Sequence, residues 1–277
     1  MSVPTEIKLR FDRICSEEML ECKKAQNSIG TYKEKRLHIA LKRFVCDDPL
    51  CYEIKVSAEK ETFNAPCDIE NGEKKKKRRN ASYVADVKCG DQIYEIQTGS
   101  LYPLKDKLAF YLERTENNVT VVHPLASIKW VSWIDPESGS ISKRHKSPKK
   151  EDVRAIARDL YALSDLLGHP RLKIVLPMIE VEEYRNLDGW GRDGKRGSTR
   201  YERFPLHLID CVTLSSKQDY NDFFLPASLP QSFTAAEYAK ASGIKGIATY
   251  SALAALCALG SLQKSGKLGR SCIYERV

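Results

Sequence analysis

Two carboxylates on predicted neighbouring strands are the residues of this sequence best suited to chemistry. Asp86 lies in a strand-like segment at residues 82–88, and Glu95 lies in another at residues 92–98. Gly90 and Asp91 between the segments are typical of a tight hairpin turn, so the two strands are predicted to adjoin. The sequence therefore predicts two acidic side chains close together on one sheet.

The polar neighbours of these carboxylates follow the alternation of a strand. Glu95 shares a face with Gln97, and Asp86 shares a face with Lys88. Two carboxylates on adjoining strands can hold a hard divalent cation such as Mg²⁺ or Mn²⁺. Such a cation lowers the pKa of a bound water and neutralises charge that develops on a phosphodiester. The chemistry expected from this group is hydrolysis of phosphate esters.

A helix predicted over residues 32–45 brings a third carboxylate to the edge of an apolar stripe. Glu34 lies three residues before Leu37 and seven before Leu41, which places it beside that stripe. His38 follows Glu34 by about one turn. For His38 we expect a hydrogen bond that satisfies the ring within the packing, in preference to a catalytic role.

The order of the predicted elements around these residues carries a resemblance. A helix with Glu34 precedes three strands with Asp86 and Glu95, and a helix at 103–114 and a strand at 119–123 follow. This arrangement resembles the core of the PD-(D/E)XK nuclease superfamily over residues 30–124. The resemblance implies an α/β fold, a restriction-endonuclease-like mixed sheet flanked by helices. It also implies that Asp86 and Glu95 bind Mg²⁺ or Mn²⁺, that Glu34 adds a further ligand and that Gln97 positions the attacking water.

Two positions depart from the pattern of that superfamily. Ala85 stands where the name has Pro, and Gln97 stands where Lys is usual. A glutamine cannot act as a base or carry positive charge. We therefore expect Lys88 to be a candidate source of the missing ammonium, although some members of the superfamily with a similar Glu-x-Gln form are active.

Three function classes remain open at this point. The first is a metal-dependent nuclease acting on nucleic acid, with DNA preferred to RNA. The second is a catalytically inactive DNA-binding or regulatory protein that keeps the nuclease fold, which Gln97 makes reasonable. The third is a protein-interaction subunit, for which nucleic-acid binding would be weak and little affected by salt.

Three segments carry dense positive charge, at residues 74–79, 143–150 and 185–203. The first is typical of a solvated surface insertion. The third is predicted as a glycine-rich loop whose cations and single tryptophan suit phosphates and a stacked base. Its candidate nucleic-acid-binding residues are Arg185, Trp190, Arg192, Lys195, Arg196 and Arg200. The alternative for this segment is a structural network of arginines and glutamates.

The chain is expected to divide into an α/β body at residues 1–225 and a winged-helix-like DNA-binding module at 226–277. The body adds a helix at 151–167 and strands at 172–181 and 207–214. The module reads as a short helix at 235–241, a turn at Gly243, a longer helix at 249–262 and a basic hairpin at 268–275.

The charge of this module suits a polyanionic partner. Residues 231–277 hold six basic and two acidic side chains, a net charge of +4. Lys267 and Arg270 are the candidate phosphate contacts, because the longer helix is mostly Ala and Leu and offers few groups to read bases. A packing or partner role for the module is the alternative.

The composition sets the remaining limits. The chain has 277 residues, 42% of them hydrophobic and 30% charged, which excludes disordered and fibrous classes. The net charge of +8 favours a polyanionic partner. The N-terminus lacks the apolar region of a secretory signal, and the apolar run at 246–263 is interrupted and is predicted as a buried helix. We therefore expect no membrane partner and a cytoplasmic location, and leave open whether the chain forms a homodimer.

Nine cysteines are scattered without a Cys-x-x-Cys pair, which favours reduced thiols over a disulfide framework. The tightest group is Cys46 and Cys51, with Cys67 downstream. This group offers at most half of a metal site, because paired ligand spacing is missing.

Overall fold

A mixed sheet of eight strands carries the predicted carboxylates. The computed structural model describes residues 3–24, 35–58, 82–190 and 196–277. The strands of this sheet are β1 (Tyr52–Ser57), β2 (Ser82–Cys89), β3 (Gln92–Ile96), β4 (Asn118–Val122), β5 (Leu125–Ile134), β6 (His145–Lys146), β7 (Leu172–Trp190) and β8 (Arg196–Leu214). Their order is β1-β2-β3-β4-β7-β5-β6, and β8 pairs with β7.

The pairing directions explain how the sheet is built from local and long-range contacts. β1, β2 and β3 are antiparallel, and the positive φ of Gly90 closes the β2–β3 turn as predicted. β3 pairs parallel with β4, and β4 pairs parallel with β7. The predicted α/β class with a mixed sheet is therefore confirmed.

Helices cover both faces of the sheet. The helices of the body are α1 (Thr5–Lys24), α2 (Arg36–Val45), α3 (Lys105–Arg114) and α4 (Ala157–Leu160). On one face, Phe11 of α1 and Leu41 of α2 pack with Val87 and Ile96. On the other face, α3 and α4 pack against β3, β4 and β7 within a larger cluster. Helices thus cover the apolar side chains of both faces of the sheet.

The segment predicted as one helix at 151–167 is instead a series of short helical turns. A 3-10 turn at Val153–Ile156, α4, and a second 3-10 turn at Tyr161–Leu163 follow one another. The prediction of a continuous helix was wrong because buried positions three residues apart, such as 153 with 156 and 160 with 163, suit 3-10 winding.

The prediction of a glycine-rich loop at 185–203 was also wrong for the residues of this segment that the structure describes. β7 and β8 are each 19 residues long and pair from Ile174 with Leu214 as far as Trp190 with Arg196. The register is irregular at several points, including one between Asn186 and Gly189, and this irregularity accommodates Gly189. In the described residues of this segment, glycine and charge therefore belong to paired strands and not to a loop.

The C-terminal part forms a second, three-stranded sheet with its own helices. Its elements are α5 (Lys217–Phe224), β9 (Ser232–Thr234), α6 (Ala235–Ser242), α7 (Ile247–Ala258), β10 (Leu262–Leu268) and β11 (Ser271–Arg276), with strand order β10-β11-β9. Thr234 and Glu237 form a capping box at the start of α6. Gly243 ends α6 in the left-handed conformation. The two helices and the hairpin predicted for this region are present, but their bounds differ. α7 starts two residues earlier and ends four residues earlier than the predicted helix, and the hairpin starts six residues earlier than predicted, at Leu262.

The body and the C-terminal part share one hydrophobic core. Leu160 and Leu163 of the body belong to the same buried cluster as Tyr238, Leu253 and Leu256. α7 is mostly buried, as predicted, which fits its largely apolar sequence. Within the described ranges, no single helix has the length and apolar character to span a membrane, and only α6 and α7 taken together, bent by 102°, meet those criteria.

Candidate active site

Asp86 lies where the β2–β3 ladder ends. The backbone pairing of β2 with β3 ends at Val87 and Tyr94. Beyond that pair, the Asp86 side chain and not the β2 backbone accepts the hydrogen bond from β3. Its Oδ2 atom accepts a hydrogen bond from the backbone N–H of Ile96 at 2.7 Å. His38 of α2 approaches the same oxygen, with Nε2 at 3.5 Å. The carboxylate is therefore held between the third strand and the second helix.

The surroundings of Asp86 favour its charged form. Burial raises the pKa of Asp86, but His38, the Ile96 N–H and the nearby Lys107 charge outweigh burial, so the pKa lies below its usual range. We expected His38 to have a polar partner within the packing. Its partner is Asp86, a residue of the candidate site.

Glu95 is almost completely buried, with 1% of its surface exposed. Both carboxylate oxygens have partners on α3. The Lys107 ammonium donates to Oε2 at 2.5 Å, and the Tyr111 hydroxyl donates to Oε1 at 3.1 Å. Asp86 and Glu95 are thus brought together from adjoining strands, as predicted, with one lysine beside them.

Burial dominates the electrostatics of Glu95. It raises the pKa of Glu95 to about 7, and the negative charge of Asp86 adds to the rise while Lys107 and Tyr111 oppose it. A buried carboxyl that titrates near neutral pH beside an ionised one is typical of acid and base chemistry. It is also the environment in which an additional cation would be stabilising.

Lys107 is the site residue that the sequence analysis missed. It lies three residues after Leu104 and four before Tyr111, within the apolar stripe of α3 and not on its polar face. A lysine at such a position is unusual, because long charged side chains are rarely buried without a partner. That position in the stripe was the available signal.

Gln97 and Lys88 both contact backbone carbonyls beside the site. The Gln97 amide donates to the Ser100 carbonyl at 2.5 Å, in the turn that follows β3. The Lys88 ammonium donates to the Gly90 carbonyl of the β2–β3 turn. The ammonium next to Glu95 therefore comes from Lys107, where Lys88 had been the candidate.

The oxygen donors that meet here are those of Asp86 and Glu95. Glu34 lies outside the described residues. Among the part of the chain that the structure describes, the only group of three or more metal-ligand side chains is a cysteine cluster. Two carboxylates nevertheless suit Mg²⁺, which is bound through one or two of them and keeps several waters.

A protein-family model covers the part of the chain that carries the two carboxylates and Lys107. A family model described as a domain of unknown function, DUF8091, matches residues 67–215, which is more than half of the chain. The chain belongs to the DUF8091 family. No curated protein and no solved structure matches it. The DUF8091 segment contains Asp86, Glu95 and Lys107 but not His38.

Two of the predicted arginines, Arg185 and Arg200, converge with Arg203 on one buried carboxylate. Glu183 is fully buried in β7, and Arg185 donates to its Oε1 at 2.8 Å. Arg200 and Arg203 lie 3.1 Å and 3.4 Å from Oε2. Burial opposes ionisation, but the arginines and Lys129 outweigh it and hold the pKa of Glu183 below its usual range. The structural arginine and glutamate network is therefore present.

This network leaves positive charge at the surface. One carboxylate faces three guanidinium groups, and the side chains of Arg185 and Arg200 remain 30% and 45% exposed. Trp133 lies opposite Arg185 in the β5–β7 pairing and stacks on His145 at 5.9 Å. We call Trp133, Arg185, Arg200 and Arg203 the basic face of the DUF8091 segment.

The other predicted nucleic-acid-binding residues are spread over two hairpins. Trp190 and Arg196 form the last backbone pair of the β7–β8 hairpin, and Arg192 and Lys195 lie outside the described residues. Lys267 and Arg270 are exposed at the end of the β10–β11 hairpin. The structure thus brings Arg185 and Arg200 together and leaves Lys267 and Arg270 on a separate element.

Proposed function

We propose that this DUF8091 protein is a metal-dependent nuclease of the PD-(D/E)XK type that hydrolyses nucleic acid, with DNA preferred. The observation that carries the proposal is the meeting of Asp86, Glu95 and Lys107. Two carboxylates from adjoining strands and an ammonium from the next helix are the groups that phosphodiester hydrolysis requires.

The order and direction of the elements support the same proposal. α2 precedes three antiparallel strands, and α3 then connects β3 to the parallel strand β4. This is the helix, three strands, helix, strand order of the proposed superfamily core. The proposal includes a restriction-endonuclease-like core for the body and a winged-helix-like role for the C-terminal part.

Each side chain has a distinct role in the proposed reaction. Mg²⁺ or Mn²⁺ held by Asp86 and Glu95 would supply an activated water and neutralise phosphate charge. His38 orients Asp86. Lys107 donates a hydrogen bond to Glu95. Its ammonium, which reaches the site from α3, supplies the positive charge that Gln97 cannot carry.

The basic face supports a polyanionic substrate. Guanidinium groups suit phosphates because their donors match phosphate oxygens, and an aromatic ring such as Trp133 suits a base. We also propose a cytoplasmic location, since all seven cysteines whose side chains the structure describes are free thiols.

One observation favours the alternative of an inactive nuclease fold. Both oxygens of Glu95 already have protein partners, Lys107 and Tyr111, so a metal would have to share this carboxylate with an ammonium. If that ion pair persists, the chain binds nucleic acid without cutting it. The two functions therefore differ in whether metal binds at Asp86 and Glu95.

The test measures cleavage and metal dependence in the full chain. Linear, circular and single-stranded DNA, and RNA, are incubated with Mg²⁺, Mn²⁺ or EDTA. We expect cleavage that needs metal and that falls by at least about a thousandfold in Asp86→Asn. Asp91→Asn, an exposed change in the adjoining turn, is the matched control and should keep full activity.

Lys107 receives a parallel test on one helix. Lys107→Met should abolish cleavage, whereas Lys105→Met, two residues earlier and exposed, should not. Metal-dependent cleavage that survives Asp86→Asn would refute the proposed site. Absence of cleavage together with salt-sensitive DNA binding would instead establish the scaffold function.

A further inference from the structure

Three cysteine sulfurs meet at the C-terminal end of β2, three residues beyond Asp86. Cys46 follows the last turn of α2, Cys51 ends the 3-10 turn that precedes β1, and Cys89 ends β2. Their Sγ atoms all lie within 4.8 Å of one another, and those of Cys46 and Cys89 are 3.1 Å apart. In the sequence, Cys89 lies 38 positions after Cys51 and 43 after Cys46, so only the fold assembles this cluster.

The separations suit a thiolate-bound cation. A tetrahedral zinc site with Zn–S bonds of about 2.3 Å places its sulfurs about 3.8 Å apart. The cluster brackets that value, from 3.1 Å to at most 4.8 Å. Disulfide-bonded sulfurs are about 2.05 Å apart, and the three cysteines are free thiols.

We propose that Cys46, Cys51 and Cys89 form a binding site for a thiophilic divalent cation, with Zn²⁺ as the natural occupant. Thiolates select zinc over magnesium, so this site is chemically distinct from the carboxylates. Three protein ligands leave the fourth tetrahedral position to a water or a ligand from outside the set. The inference rests on the cluster alone and does not require the proposed nuclease activity.

Hydrogen bonds within the protein fix the backbone around the three thiols. Asp48 accepts the Leu50 N–H at 2.9 Å, and the Cys51 N–H donates to the Asp48 carbonyl at 3.0 Å. The Tyr52 hydroxyl donates to the Cys46 carbonyl at 2.6 Å. Because these bonds fix the turn between Cys46 and Cys51, little ordering remains when an ion binds. All three cysteines are partly exposed, which provides access for the ion.

Occupancy would fasten α2 to β2. α2 carries His38 and β2 carries Asp86, so the cation would hold together the two elements whose contact orients that carboxylate. The site would therefore stabilise the fold and support the geometry of the candidate active site from a distance.

The first measurement is the zinc content of the full chain, purified under reducing conditions without a chelator. We expect about one zinc per chain for the wild type, since three thiolates can hold one ion. Cys51→Ser should raise the dissociation constant for Zn²⁺ by at least about a hundredfold, because even outer-shell losses cost up to that much. Cys211→Ser, a partly buried cysteine outside the cluster, should leave the zinc content unchanged.

A second measurement keeps the test independent of how well the variants fold. Wild-type apoprotein is titrated with Co²⁺, and thiolate-to-cobalt charge-transfer absorption should appear and be displaced by Zn²⁺. Zinc should also raise the melting temperature of the wild type by several degrees and that of Cys51→Ser by none. A reduced wild type that binds neither ion would overturn the proposal, as would a native Cys46–Cys89 disulfide that persists when zinc is supplied.

Discussion

The buried Glu95 carboxyl makes the stability of the protein fall as pH rises, and this can be measured. The folded-state pKa of about 7 lies above the ordinary 4.5, because burial and Asp86 disfavour the charged form. Between these pH values the folded chain keeps a proton that the unfolded chain releases. The contribution of Glu95 is therefore fully present below pH 4.5 and is lost as pH rises through 7.

The magnitude follows from that difference in pKa. At about 1.4 kcal/mol for each tenfold change in proton affinity, the full contribution is about 3 kcal/mol. Between pH 5 and pH 8, linkage removes most of this contribution, about 2 to 3 kcal/mol, from the free energy of unfolding. Solvent hardly screens the charge interactions of Glu95, because only 1% of its surface is exposed.

The assay compares Glu95→Gln with the wild type by urea unfolding at pH 5 and pH 8 in EDTA, followed by circular dichroism. Glutamine keeps the shape and an oxygen for the Tyr111 hydroxyl but does not titrate. We expect the stability of the wild type relative to Glu95→Gln to fall by about 2 to 3 kcal/mol between the two pH values. Glu137→Gln, an exposed control, should follow the wild type. Parallel profiles for the wild type and Glu95→Gln would refute the burial argument.

Three further predictions concern the basic face, the C-terminal hairpin and the start of α6. Glu183→Gln should destabilise the fold by about 3 kcal/mol in urea unfolding, because it removes the carboxylate that faces the largely buried Arg203. The double variant Lys267→Ala and Arg270→Ala should reduce the salt slope of nucleic-acid binding by about 2, one for each phosphate contact. Thr234→Ala should lower the free energy of unfolding by about 1 kcal/mol, because α6 loses its capping box.

Controls for these three predictions come from neighbouring residues. Glu202→Gln, on the adjacent strand, should cost less than half as much as Glu183→Gln. Gln263→Ala, an exposed and uncharged position on β10, should leave the salt slope unchanged. Ser232→Ala should not affect α6. Equal effects in a control and its test variant would contradict the assigned contact.

The carboxylate pair could be predicted from sequence because its signals are local. Alternation along β2 and β3 and the Gly90 turn determine which residues adjoin, and these depend on neighbours in the chain. The partner of Glu95 could not be predicted in this way. Lys107 reaches Glu95 only because α3 packs across β3, and that packing joins residues from separate elements.

The same distinction explains the errors in the long hairpin and the cysteine cluster. Arg185 and Gly189 have the composition of a loop, yet cross-strand pairs and the buried Glu183 keep β7 and β8 extended. Cys89 has no sequence spacing to Cys46 that marks a metal site. Cys89 reaches Cys46 and Cys51 only because β2 ends beside them in the folded chain.

The shared core gives the C-terminal part a fixed place on the body. Tyr238 of α6 donates to the Phe224 carbonyl of α5 at 2.6 Å, and Arg154 of the body donates to the Ser242 carbonyl at the end of α6 at 3.0 Å, so α6 is tied both to α5 and to the body. The β10–β11 hairpin therefore stays at a constant offset from Asp86. If the chain is the nuclease proposed above, a nucleic acid that contacts this hairpin would meet the carboxylates at a fixed spacing from that contact.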